Sequence, residues 1–167
     1  MPNYPTNLRP KTRATRRFIT SVVCEDTVPP KPLDSPEEVL AFWREVIARQ
    51  PDHEPDKESV VVILLSTRLR PFAWNRVAVG TLNESTAHPR EILRPVLVGA
   101  AHGFLLVHNH PSGDPAPSRA DRELTNRIRD AAELLQVRFV DHLIVTDSGR
   151  TVAGGPPCFS FREAGLL

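Results

Sequence analysis

The chain has 167 residues, of which 40% are hydrophobic and 25% are charged, and its formal net charge is +1. These values are typical of a globular protein with a sizeable core, and they exclude a chain that is disordered by composition. No apolar run approaches the ~20 residues of a membrane-spanning helix, and the start lacks a secretory signal. Cys24 and Cys158 form no disulfide framework. We therefore expect a cytoplasmic protein without a membrane partner.

Residues 1–33 are predicted to be a basic, proline-rich extended arm, because prolines at this density exclude a long helix. A short strand at 18–23 is compatible with the pattern. The basic side chains of the arm could contact DNA weakly, although a solvated tail is the favoured interpretation because aromatic residues are nearly absent among them. Five of them precede the first acidic residue, Glu25: Arg9, Lys11, Arg13, Arg16 and Arg17.

A helix is predicted to begin after Ser35, which supplies a capping hydroxyl. Proline follows at the first helical position, and Glu38 stands three residues after the serine, as in a capping box. The polar loop after the helix contains His53 and Glu54, which we interpret as surface residues. The apolar residues of the helix recur with helical spacing: Val39, Leu40, Trp43, Val46 and Ile47.

The remaining elements alternate between strands and helices. The stretch 58–66 contains a continuous apolar run, Val60 to Leu65, which is typical of a strand that is buried on both faces. Further strands are predicted at 72–79, 103–107 and 137–146, with an edge strand at 158–161; two more helices begin near His88 and Ser118. This order predicts an α/β or α+β fold, with a mixed β-sheet and flanking helices.

The stretch HNHPSGDPAPSRAD, residues 108–121, carries a pattern typical of a metal site. Residues two apart on a strand point to the same side, so His108 and His110 can reach one ion. Asp121, one turn into the following helix, can supply a carboxylate. Zinc binds two imidazoles and a carboxylate in catalytic sites and keeps a fourth position for water. The spacing therefore predicts a catalytic zinc site.

Ser118 and Asp121 also have a structural explanation. Ser-x-x-Asp at a helix start is close to a capping arrangement, in which the carboxylate favours the positive end of the helix. The two histidines upstream favour the metal interpretation, since a capping pair does not need them. The two roles can coexist.

Hydrolysis at such a site needs a carboxylate that accepts and donates a proton. Glu58, at the mouth of the apolar strand, is the candidate, whereas Asp114 is interpreted as a turn residue. His142, in a predicted strand, is interpreted as a structural histidine rather than a fourth ligand, and Asp141 could orient it.

The pattern His108-x-His110, seven residues, Ser118, two residues, Asp121 resembles the metal-binding motif of the JAMM (MPN-plus, JAB-type) metalloprotease superfamily. The segments VGTLNESTAHPREIL, LVHNHPSGDPAPSRAD, VDHLIVTDSG and FREAGLL resemble its bacterial RadC-like branch. The resemblance covers roughly residues 33–167. It implies an MPN/JAB domain, with a cytidine deaminase-like architecture, over residues 34–167.

The resemblance also implies roles for individual residues. His108, His110 and Asp121 would be zinc ligands, Ser118 would stabilise the oxyanion, and a glutamate on an early strand would be the acid/base. Glu58 matches that glutamate, with Glu84 and Glu91 as rivals. The implied activity is zinc-dependent hydrolysis of a peptide or isopeptide bond in a peptide or protein substrate.

The alternative is a non-enzymatic, DNA-associated accessory protein of the DNA-repair type that retains the metal-binding fold. RadC-like proteins commonly carry an amino-terminal helix-hairpin-helix element, and the stretch before Leu33 is too short and too rich in proline for it. DNA contact is therefore expected only through the basic arm. A homodimer could form through the edge strand near the carboxyl end.

Overall fold

The structure is a computed structural model, and it describes residues 31–80, 88–147 and 155–167. Its centre is a five-stranded sheet in the order β2-β1-β3-β4-β5. The β3–β4 pair is parallel and the other three pairs are antiparallel, so the predicted mixed sheet is confirmed. The strands are β1 (Ser59–Leu65), β2 (Pro71–Val79), β3 (Gly103–Asn109), β4 (Arg138–Val145) and β5 (Cys158–Ser160).

Three helical segments flank the sheet in the described ranges. They are α1 (Pro36–Phe42), which continues as a π-helical turn (Trp43–Ile47), α2 (Pro89–Val98) and α3 (Arg119–Leu134). The predicted cap of α1 is present, since the Ser35 side chain accepts from the Glu38 N–H. At the start of α2, the His88 side chain accepts from the Arg90 N–H. None of the described helices has the length and apolar character needed to cross a membrane.

The sheet separates two apolar layers. Alternate residues of β1 enter different layers, which is why this strand is an unbroken apolar run in the sequence. One layer joins the sheet to α1 and contains Trp43, Ile47, Val61, Ile63 and Leu105. The other joins it to α2 and α3 and contains Val62, Ile92, Phe104, Leu106 and Ile128.

The sheet register brings distant segments of the chain together where β1 begins and β3 ends. β3 extends past Val107, where the predicted strand ended, to Asn109, so His108 lies within the strand. His108 pairs with Val60, near the start of β1. This pairing places the segment that contains Glu58 beside the histidine motif.

The loop between α1 and β1 differs from the prediction. The side chain of Glu54 is exposed and forms an ion pair with Lys57, as expected of a surface residue. The side chain of His53 is only 5% exposed, so its assignment to the surface was wrong. Its ring meets Trp43 edge-on at 5.8 Å between centroids, and Nε2 lies 3.4 Å from Oδ1 of Asp147.

The predicted arm lies almost wholly outside the described residues, as does the strand proposed at 18–23. Within the described part, Leu33 is buried, and its N–H donates to the carbonyl of Leu69. Leu33 is therefore packed against the turn between β1 and β2.

Candidate metal centre

The side chains of His108, His110 and Asp121 converge near the end of β3. Nε2 of His108 lies 3.1 Å from Nε2 of His110 and 3.3 Å from Oδ1 of Asp121. Nε2 of His110 lies 3.7 Å from Oδ2 of Asp121. Their potential ligand atoms all lie within 4.8 Å of one another, so these residues could hold a metal ion.

Three different backbone elements place these side chains. His108 is in β3, and His110 follows it, where its N–H donates to the carbonyl of Val145 and prolongs the pairing with β4. The chain then turns at Gly113, which has a φ of 81°, a conformation that favours glycine. Asp121 lies in the first turn of α3, at the position three residues after the cap.

The orientation of these groups fits a cation. Nδ1 of His110 lies 2.8 Å from the carbonyl of Asp114, which can only accept, so the neutral ring carries its proton on Nδ1 and its lone pair on Nε2. Oδ1 of Asp121 is buried and has no hydrogen-bond partner among the described residues. A buried, unpaired carboxylate oxygen is costly. A cation between the imidazoles and this oxygen would remove that cost.

The electrostatics of the cluster favour a negative Asp121. Burial acts to raise the pKa of its carboxyl group, but the contacts with His108, His110 and Ser118 outweigh burial and hold the pKa well below its ordinary value. Burial also acts to lower the pKa of His110. The contacts with Asp121 and the Asp114 carbonyl, and the charges of Asp121 and Glu58, nevertheless raise it.

Ser118 caps α3 and holds Asp121 at the same time. The Asp121 N–H donates to Oγ of Ser118 at 3.2 Å, and the Ser118 N–H donates to Oδ2 of Asp121 at 2.8 Å, which completes a capping box. The Ser118 hydroxyl also donates to Oδ2 at 2.6 Å. Oδ2 is therefore fixed by the helix cap while Oδ1 faces His108, so the structural arrangement is compatible with a ligand role.

Glu58 lies immediately before β1 and is half-buried. The pairing of Val60 with His108 places its segment beside the cluster. The charge of Glu58 is also the smallest of the causes that raise the pKa of His110. Glu91 instead forms ion pairs with Arg90 and Arg94 on α2. Glu84 lies outside the described residues. Glu58, and not Glu91, therefore lies on the segment that the sheet register brings to the cluster.

Sequence reasoning missed the connection between Asn109 and the Glu58 segment. Oδ1 of Asn109 accepts from the Ser59 N–H at 2.8 Å, and Nδ2 donates to the Lys57 carbonyl at 3.1 Å. Asn109 thus binds the peptide groups on both sides of Glu58. The sequence signal was a polar residue between two histidines at the end of a buried strand, but the partners of Asn109 could be identified only from the sheet register.

His142 is buried in β4 and contacts His108 of the cluster. Its Nε2 lies 2.9 Å from Nδ1 of His108, and its Nδ1 lies 2.6 Å from the hydroxyl of Thr125. Burial and the neighbouring His108 hold its pKa well below the ordinary value, which favours the neutral ring. The sequence had suggested that Asp141 orients this ring. Asp141 instead accepts from the His142 backbone N–H, so that prediction was wrong.

The sequence profile of the RadC-like JAB domain matches residues 33–166. A UPF0758 protein of Thermotoga maritima is 41% identical over 138 residues, which are 83% of this chain and 56% of that protein. A UPF0758 protein of Pelodictyon phaeoclathratiforme is 39% identical over 126 residues, with coverages of 74% and 53%. One of Chlorobaculum parvum is 42% identical over 119 residues, with coverages of 71% and 49%. The chain thus spans about half the length of these relatives.

Proposed function

Because this chain belongs to the RadC-like JAB domain family, as its motif spacing predicted, we propose that it is a zinc-dependent metallohydrolase that cleaves a peptide or isopeptide bond with a metal-activated water. The names of the relatives specify no reaction, so the proposal rests on the site. The observation that carries it is the convergence of two imidazole nitrogens and one carboxylate within 4.8 Å.

The donor set of His108, His110 and Asp121 suits zinc. Zinc accepts imidazole nitrogen and carboxylate oxygen, and three protein ligands are the usual number in catalytic zinc sites, whereas structural sites use four. When bound, the ion would supply a Lewis acid and lower the pKa of a water molecule towards neutrality. The unpartnered Oδ1 of Asp121 is the group in this cluster that most needs a cation.

Glu58 is the proposed acid/base. Its carboxylate accepts a proton from the attacking water as the bond between the water oxygen and the scissile carbonyl carbon forms. It then donates that proton to the amine nitrogen as the carbon–nitrogen bond breaks. The bonds from Asn109 to both peptide groups beside Glu58 support this role, because they tie the glutamate to the strand that carries His108.

Ser118 is the proposed donor to the oxyanion. Its hydroxyl donates to Oδ2 of Asp121 in the structure, so this role requires the hydroxyl to rotate towards the substrate as negative charge develops. The Ser118 N–H remains on Oδ2 during that rotation. Asp121 is thus held in place while the hydroxyl turns away.

Metal analysis tests the proposal directly. Protein purified without chelators is expected to contain about one zinc ion per chain. His110→Ala should lose it, whereas His102→Ala, which alters an exposed histidine, should keep it. A folded wild-type chain that contains no metal and takes up none from added zinc would overturn the proposal.

The reaction is tested by a screen of peptide and isopeptide substrates with the zinc-loaded protein. Turnover that disappears in His110→Ala would support the hydrolase. Zinc binding without turnover of any substrate would favour the non-enzymatic, DNA-associated alternative. In that case, DNA affinity that falls steeply with salt and with removal of residues 1–20 would be expected.

A further inference from the structure

A buried chain of hydrogen bonds runs from the backbone of α3 to the metal-facing histidine of β3. The hydroxyl of Thr125 lies 2.6 Å from the carbonyl oxygen of Asp121 and 2.6 Å from Nδ1 of His142. Nε2 of His142 lies 2.9 Å from Nδ1 of His108. Thr125, His142 and His108 are each at most 1% exposed, so solvent does not compete for these groups.

The direction of each hydrogen bond follows from the donors available. A carbonyl oxygen only accepts, so Thr125 uses its one hydroxyl proton on Asp121. The hydroxyl can then only accept from His142, which places the His142 proton on Nδ1. The ring of His142 is fully buried, and among the described residues it hydrogen-bonds only to Thr125 and His108, neither of which is a carboxylate, so burial favours the neutral ring. Its Nε2 then has a lone pair, and His108 must donate to it from Nδ1. In a neutral His108 the proton is therefore on Nδ1, and Nε2 carries the lone pair.

We propose that Thr125 and His142 are positioning residues that fix the tautomer of His108, so that its Nε2 lone pair faces the metal. This inference deepens the proposed function and rests on the metal site assigned there. Histidine ligands usually donate their second N–H to a carboxylate, a backbone carbonyl or water. Here the acceptor is a second, neutral histidine, whose own orientation is fixed by a threonine.

The surroundings of His142 restrict it to this role. Both of its ring nitrogens are occupied, Nε2 by His108 and Nδ1 by Thr125, so neither has a lone pair left for a metal. The ring also stacks on Phe161, with centroids 4.7 Å apart and planes at 9°. Rotation of the ring would break both hydrogen bonds and the stacking contact.

The opposite arrangement would disable the site. If His142 carried its proton on Nε2, His108 would have to accept at Nδ1 and carry its own proton on Nε2. That proton would point towards Nε2 of His110 and Oδ1 of Asp121, which lie 3.1 and 3.3 Å away. With that proton in place, Nε2 of His108 would have no lone pair for an ion.

The tautomers can be measured without a variant and without metal. Nitrogen-15 NMR of the histidine rings of the wild-type chain, treated with a chelator, is expected to show the proton on Nδ1 in both His108 and His142. A proton on Nε2 of either ring would overturn the inference. This measurement does not depend on zinc binding or on catalysis.

Zinc affinity tests the consequence. Thr125→Val removes the hydroxyl with little change of shape, so His142 loses the acceptor that fixes its tautomer. The affinity for zinc, measured by competition with a chromophoric chelator, should fall on the order of 10–100-fold. Thr125→Ser keeps the hydroxyl and should restore affinity to near the wild-type value.

Each result has a distinct meaning. Wild-type affinity in a folded Thr125→Val chain, as judged by circular dichroism, would overturn the inference. Equal losses in the valine and serine variants would also overturn it, since packing rather than the hydroxyl would then be responsible. A wild-type chain that binds no zinc would contradict the proposed function. The tautomers measured by NMR would still decide whether Thr125 and His142 fix the tautomer of His108.

Discussion

Nδ2 of Asn109 lies 3.1 Å from Oδ2 of Asp147, and this contact fixes which end of the amide faces the start of β1. The carboxylate can only accept, so the NH₂ group faces Asp147 and the carbonyl oxygen faces the Ser59 N–H. Asp147 also accepts from Nε1 of Trp43 at 2.9 Å. A buried polar cluster on the α1 side of the sheet thus anchors the segment that contains Glu58.

Asp147→Asn is expected to destabilise the fold by about 1–3 kcal/mol, the typical cost of leaving a buried polar group unpaired. The new NH₂ group would face a donor, either Trp43 or Asn109, so one bond of the cluster would be lost. Urea denaturation measures the change. Asp130→Asn, on the exposed surface of α3, is the control and should change the free energy of unfolding little. Equal stability of both variants would contradict the anchoring role of Asp147.

Glu58→Gln should retain zinc but lose hydrolysis, because the amide cannot accept a proton. The rate of substrate cleavage should fall by about 10²–10⁴-fold, the usual contribution of a general acid/base. Glu91→Gln, which alters a surface ion pair of α2, should keep both zinc and activity. If Glu58→Gln remains active, another carboxylate is the base; Glu84 would then be substituted next.

The spacing of the site residues within each element could be predicted from the sequence. His108 and His110 are two residues apart near a strand end, and Ser118 and Asp121 are three apart at a helix start, so backbone periodicity alone predicts their relative directions. The apolar run that became β1 was equally clear. Each of these predictions needs only a few consecutive residues and a known backbone geometry.

The parts that sequence reasoning missed depend on contacts between distant segments. The burial of His53 follows from its packing against Trp43 and Asp147, which belong to other elements. The connection of His142 to His108 requires the parallel pairing of β3 with β4. No local pattern encodes these pairings, because several strand orders would satisfy the same hydrophobic periodicity.

Ser118→Ala separates the capping role of this serine from its proposed role at the oxyanion. Loss of the cap should lower the free energy of unfolding by about 0.5–2 kcal/mol. Zinc should be retained, since the Ser118 N–H still binds Oδ2 of Asp121. Hydrolysis should fall by about 10²–10³-fold, as for other oxyanion donors.

Ser35→Ala is the matched control, because Ser35 caps α1 on the other side of the sheet. Its stability loss should be of the same order, and hydrolysis by the folded fraction should not change. Denaturation curves and substrate cleavage are compared for both variants. Equal hydrolysis in the two would show that Ser118 acts only as a helix cap.

Zinc is expected to stabilise the folded chain. The cluster holds an unpaired carboxylate oxygen and two imidazole nitrogens within a few ångströms, an arrangement that the unfolded chain cannot maintain. Free zinc at 100 times its dissociation constant should raise the free energy of unfolding by about 2.7 kcal/mol, or less if the unfolded chain also binds zinc. Urea denaturation with zinc and with chelator measures this gain. His110→Ala should show little of it and His102→Ala all of it, so an equal gain in both variants would place the zinc elsewhere on the protein.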